Sequence, residues 1–188
     1  MAAAGPFAGD GASGLPDTYA SAAVAETMIV HPNRDKAASK ATKAAVILLL
    51  LVSAALVLIV TIGGWSELQG AQMVSVAYIL IYLTIAFFVA RWNRGTLPVA
   101  SGLAVLLLVV AAIAGPAWFD RDASGYEEST IPAGLLGLLT ILIVPVQFLL
   151  ILFAMRGFSQ QWNVEVEVAR DEYERRGGSG GFEPQPQT

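Results

Sequence analysis

The interval "AAVILLLLVSAALVLIVTIGGWS", Ala44 to Ser66, runs for 23 residues without an Asp, Glu, Lys, Arg or His. A helix advances about 1.5 Å per residue and the hydrocarbon core of a bilayer is about 30 Å thick, so roughly 20 apolar residues cross it. Three more intervals share the property: Leu68 to Ala90, Gly95 to Phe119 and Ser129 to Met155, of 23, 25 and 27 residues. None shows the period-two alternation of a barrel strand, and only helices and closed barrels satisfy all backbone polar groups in lipid. The fold class read from this pattern is all-α: a polytopic membrane protein with four transmembrane helices in an up-down bundle.

Composition supports the same class. The 188 residues are 55 % hydrophobic and 14 % charged, against about 25 % charged in ordinary globular chains. The absence of cysteine excludes disulfides, thiolate metal ligands, Fe–S clusters and cysteine nucleophiles. The first 43 residues lack the charged n-region and short apolar h-region of a secretory signal, so the first hydrophobic run is read as an uncleaved span. Trimmed to their apolar cores, the spans fall at about 44–63, 71–90, 97–117 and 133–155.

The basic residues set an orientation. Arg34, Lys36, Lys40 and Lys43 precede the first span, Arg91 and Arg94 separate the second and third, and Arg156, Arg170, Arg175 and Arg176 follow the fourth. Only Arg121 lies on the other side, beside Asp120, Asp122, Glu127 and Glu128. Lys and Arg accumulate in cytoplasmic loops, which predicts that both termini are cytoplasmic. Trp65, Trp118 and Phe119 at one interface, and Trp92, Phe158 and Trp162 at the other, suit the aromatic belts of a bilayer.

Segments outside the spans differ in character. Residues 1–43 are read as a disordered N-terminal segment with juxtamembrane basic residues, since the Ala-, Gly- and Pro-rich opening has few large side chains to offset the entropy of ordering. Ala20 to Val30 has the makings of a transient helix that His31-Pro32 would stop. Lys36, Lys40 and Lys43 recur at helical spacing and can rest on anionic headgroups. Residues 177–188, "GGSGGFEPQPQT", read as a flexible tail.

Chemistry is sparse. No ionisable residue lies in the four cores, whereas small four-helix drug/proton exporters depend on a membrane-embedded glutamate, so proton coupling is not expected. What remains is "VPVQF", where Pro145 removes a backbone donor and Gln147 places an amide near mid-bilayer. This candidate intramembrane polar site either lines a path or bonds a neighbouring helix, with Tyr78 and Tyr82 as the candidate partners. Ala100 with Ala104, Ala111 with Gly115, and Gly134 with Gly137 allow close helix approach. "DRDASGYEE", Asp120 to Glu128, imitates the start of a calcium loop but has Ile131 where a bidentate Glu is needed, so no metal is assigned. No catalytic constellation is visible, and neither enzyme activity nor a cofactor is expected.

The segment after the last span, "RGFSQQWNVEVEV", Arg156 to Val168, is the most patterned polar stretch. As a strand it would put Val164, Val166 and Val168 on one face. At helical spacing, Phe158, Trp162, Val166, Ala169 and Tyr173 share a stripe, and Asp171–Arg175 and Glu172–Arg176 are favourable acid-to-base pairs. The longer pattern predicts an amphipathic cytoplasmic helix over 156–176. Phe158, Trp162, Val166 and Tyr173 are its candidate partner-docking residues.

The same stretch, "MRGFSQQWNVEVE", resembles the segment following the last span in a group of uncharacterised four-helix integral membrane proteins from actinobacteria. The resemblance implies the bacterial plasma membrane and carries no activity. The expected function is that of a non-enzymatic accessory or scaffold subunit, with the lipid bilayer and a protein partner at the C-terminal segment, homo-oligomerisation open, and no nucleic acid. The alternative is a small uncoupled transporter or channel using Pro145 and Gln147.

Overall fold

A computed structural model describes residues 27–68, 70–122 and 130–175. Four helices are long and apolar enough to cross a membrane: α2 (Ala37–Gly63), α3 (Gln72–Ala90), α4 (Thr96–Phe119) and α5 (Ala133–Ser159). They mark the chain as a multi-pass membrane protein. A strand β1 (Thr27–Val30) and a one-turn helix α1 (Pro32–Asp35) precede them, and a strand β2 (Val166–Ala169) and a short helix α6 (Arg170–Arg175) follow.

The span boundaries lie close to the edges of the charge-free intervals, with two differences. Helix α2 starts at Ala37, so Lys40 and Lys43 are already helical; Lys is a good helix former, and trimming at charge cuts such a helix short. Helix α5 continues past Arg156 to Ser159. Pro145 is accommodated within α5, which leaves the Ile141 carbonyl without its helical donor.

Helix α2 packs on α3 and on α5, and α5 packs most extensively on α4. Small residues make the last interface close: Ala100, Ala104, Ala111 and Gly115 of α4 are buried, and a Cβ on Gly115 would come within 2.6 Å of Ile141 Cγ1. Helices α3 and α4, although consecutive, touch little. The main core includes Val46, Leu50, Tyr82, Val89, Leu97, Leu150 and Trp162. A smaller core of Val60, Trp118, Ala133 and Leu136 closes the opposite end.

The flanking segments correct two expectations. Thr27–Val30 is a strand, paired antiparallel with β2 in the register Met28 to Val168 and Val30 to Val166, so residues 27–43 are structured and not a disordered lead. The predicted helix over 156–176 is likewise replaced by the end of α5, a turn, β2 and α6. Val30 and Val168 are buried on the inner face of the ribbon while Ile29 and Glu167 face out. Long-range pairing therefore outweighs the local helical pattern. Residues 1–26 and 176–188, and most of the Asp120 to Glu128 loop, lie outside the described residues, and with them the expected Glu172–Arg176 pair; Asp120–Asp122 forms a 3-10 turn.

Candidate functional site

Gln147 is fully buried in α5 and joins three helices. Its Oε1 accepts a hydrogen bond from Tyr82 Oη of α3 at 2.8 Å, and its Nε2 donates to Ser53 Oγ of α2 at 2.8 Å. Ser53 Oγ in turn donates to the Leu49 carbonyl at 2.6 Å. The tyrosine is held from its other side by Tyr78, edge to face at 5.8 Å. Both functional groups of the amide are thus engaged, the arrangement that a polar side chain far from water requires. Tyr82 is one of the two partners the sequence predicts; Ser53 carries no such signal, because a lone serine in an apolar helix ordinarily bonds its own i−4 carbonyl. Here it does that and accepts from Gln147 as well.

The terminal segments build a cap on the end of the bundle where α3 exits and α4 enters. Trp162 is fully buried there, its ring edge to face with Trp92 at 5.4 Å. Its Nε1 donates to Gln160 Oε1 at 3.0 Å, and Gln160 Nε2 donates to Thr42 Oγ1 of α2 at 3.0 Å. Arg34 Nε donates to the Trp162 carbonyl at 3.0 Å, and Asn33 Nδ2 to the Gln161 carbonyl at 3.1 Å. His31 Nε2 stands 3.4 Å from Glu165 Oε1, a pair that is ionic when the imidazole is protonated. The segment before α2 and the segment after α5 are therefore one unit.

Two backbone positions in the cap are left-handed without being glycine, Trp92 at φ +63° and Gln161 at φ +50°. At the end of α3, Trp92 N–H bonds to the Val89 carbonyl and Asn93 N–H to the Phe88 carbonyl, the bond pair of a Schellman C-cap, whose left-handed site is usually Gly. A tryptophan is held there by its surroundings: Lys43 Nζ lies 4.0 Å from the ring centroid on one side, and Trp162 packs on the ring as well.

The four residues expected to form a docking stripe do not share a face. Trp162 is core, Phe158 is partly exposed under the Arg94 guanidinium at 4.2 Å, Val166 stands in β2 opposite Val30, and Tyr173 lines a cleft of about 420 Å³ with His31, Arg34 and Lys40. The cap's outward surface consists of Ile29, 58 % exposed, with Glu167 and Glu165 nearby in the ribbon and the turn before it. In α6 the expected Asp171–Arg175 pair forms at 2.7 Å. Among the described residues no cluster of three or more His, Asp or Glu could hold a metal. No family model, curated protein or solved structure matches the chain.

Proposed function

We propose that this chain is a non-enzymatic accessory or scaffold subunit of the bacterial plasma membrane, an up-down bundle with both termini cytoplasmic. The observation that carries this reading is the cap: the described segments before α2 and after α5 form one folded unit tied to the bundle by Trp162, Gln160 and Arg34. A pair of strands exposes two edges and is marginal alone, so a cap of this kind suits strand addition by a partner. The docking surface shifts accordingly from a helical stripe to the outer face and edges of the β1–β2 ribbon, around Ile29 and Glu167.

The amide of Gln147 argues for structure over passage. It is enclosed and its partners are protein groups, which is how polar side chains join helices in lipid. The orientation follows the basic residues, which gather on the cap side of the spans apart from Arg121.

The test is purification in mild detergent of the intact chain and of Ile29→Lys, with quantitative mass spectrometry of copurifying proteins. The same protein should be enriched with the intact chain and lost with Ile29→Lys, while the control Ile113→Val, at an exposed position of α4, retains it. Equal recovery with every version would remove the ribbon as a docking element.

A further inference from the structure

Helix α3 buries Tyr82, Ile85, Ala86 and Val89, all in its second half; nothing between Gln72 and Ile81 is buried. Helix α4 buries side chains along its whole length, from Leu97 to Trp118. The two helices therefore meet near the cap and part toward the opposite end. In the gap lies a cavity of about 210 Å³, reaching from Trp118 down to Tyr78, Leu107 and Ile143.

The lining decides what can enter. Thr61, Ser75 and Thr140 line the cavity, yet their hydroxyls donate to the Val57, Ala71 and Leu136 carbonyls of their own helices at 2.6, 3.1 and 2.7 Å. The remaining side-chain polar atoms are the Tyr78 hydroxyl and the Trp118 indole nitrogen, each able to donate one bond to an ester oxygen. Apolar cavities of about 150 Å³ stay dry and accept hydrocarbon, and this one is larger. It lies within the spans, where the surrounding medium is acyl chains.

At the far end of the cavity the Arg121 guanidinium lies 4.4 Å over the Trp118 ring. It is the one basic residue of the sequence on that side of the spans, and it offers a phosphodiester a contact at the mouth. We propose that the gap between α3 and α4 is a binding site for a membrane phospholipid, one acyl chain lying in the cavity beside Leu107 and Ala111 and the phosphate near Arg121. The site is independent of any partner at the cap.

The full chain is reconstituted in phosphatidylcholine vesicles containing a trace of phosphatidylcholine with a diazirine in mid-chain, irradiated and mapped by mass spectrometry. Leu107 and Ala111 are 8 % and 2 % exposed, so labels on them require a chain inside the gap, whereas Leu106 and Val76 report ordinary lipid contact. The expected result is labelling of Leu107 or Ala111 that falls at least tenfold in Ala114→Phe or Ser75→Phe, which fill the gap from α4 and from α3, with Leu106 and Val76 unchanged. Two variants on opposite walls keep the test valid if one fails to fold. Absence of label on Leu107 and Ala111 in the unaltered chain, or label that persists in a folded filled variant, overturns the proposal.

Discussion

The Trp162 indole stands edge to face on Trp92, with ring centroids 5.4 Å apart and planes at 87°. This contact joins the turn after α5 to the turn after α3, and Lys43 covers the same Trp92 ring from α2. Three elements remote in sequence are thereby fixed around one left-handed residue. Removing Trp162 should therefore loosen the whole cap.

Trp162→Ala is expected to destabilise the protein by about 3–5 kcal/mol, the range for truncating a buried Trp. Trp162→Phe keeps a ring against Trp92 but loses the bond to Gln160, and should cost about 1–2 kcal/mol. Reversible unfolding in mixed micelles measures both. An Ala variant as stable as the parent would mean that the cap is not coupled to the bundle.

Gln161 is left-handed as well, but its carbonyl is the group used, accepting from Asn33. Glycine at this position keeps the carbonyl and removes the Cβ clash, worth roughly 1–2 kcal/mol per left-handed residue. Offset by the greater freedom of Gly in the unfolded chain, Gln161→Gly should leave stability unchanged or raise it by up to about 1 kcal/mol. The same change at Trp92 removes a ring that Lys43 and Trp162 pack against, so Trp92→Gly should destabilise. Thermal melts should place Gln161→Gly at or above the parent and Trp92→Gly below it; the reverse order would mean that the Trp92 ring contributes nothing to the cap.

The four spans were legible because charge is excluded from each for long enough to cross a bilayer, and Gln147 because an amide within such a span needs a partner. The cap was not. "VEVA" fits a strand and a helix equally well over four residues, and the choice was made by "TMIV" at Thr27–Val30, its partner in the register Thr27 to Ala169. No local pattern announces a pairing over that separation. Trp162 illustrates the same limit: an aromatic beside a span reads as an interfacial anchor, and only the arrival of Trp92 from another helix makes it core.

Gln147→Leu leaves Tyr82 Oη without its acceptor and removes the donor to Ser53 Oγ. Burying an unsatisfied donor costs about 1–3 kcal/mol, but hydrogen bonds between membrane helices average about 0.6 kcal/mol and reach about 1.7. A loss of about 1–2 kcal/mol is expected. Tyr82→Phe in the same background should recover part of it, because the orphaned hydroxyl is gone. Additive losses in this double-mutant cycle would show that the 2.8 Å contact contributes nothing.

Gly115 sets how closely α4 approaches α5. Alanine there brings a Cβ to 2.6 Å from Ile141 Cγ1 and 3.5 Å from its backbone nitrogen. The isoleucine side chain can rotate, so Gly115→Ala should cost about 1 kcal/mol, whereas Gly115→Val meets the backbone too and should cost about 2–3 kcal/mol. Ile141→Ala removes Cγ1 itself, so Gly115→Ala should cost less in the Ile141→Ala background than in the parent. If Val is tolerated as well as Ala, the two helices are not held at this distance.

Orientation is open to a direct measurement because the chain has no native cysteine. Ser66 lies in the exposed turn between α2 and α3, and Asn163 in the exposed turn between α5 and β2. If the basic residues face the cytoplasm, a membrane-impermeant maleimide applied to intact cells should label Ser66→Cys, and should label Asn163→Cys only after permeabilisation. Arg91 and Arg94 make the same prediction for Asn93→Cys, since they share the cap side. The reverse pattern would place the cap outside the cell and require any docking partner to be sought there. Labelling of all three sites in intact cells would instead separate the basic bias from topology altogether, and the cap would then have to be explained by packing alone.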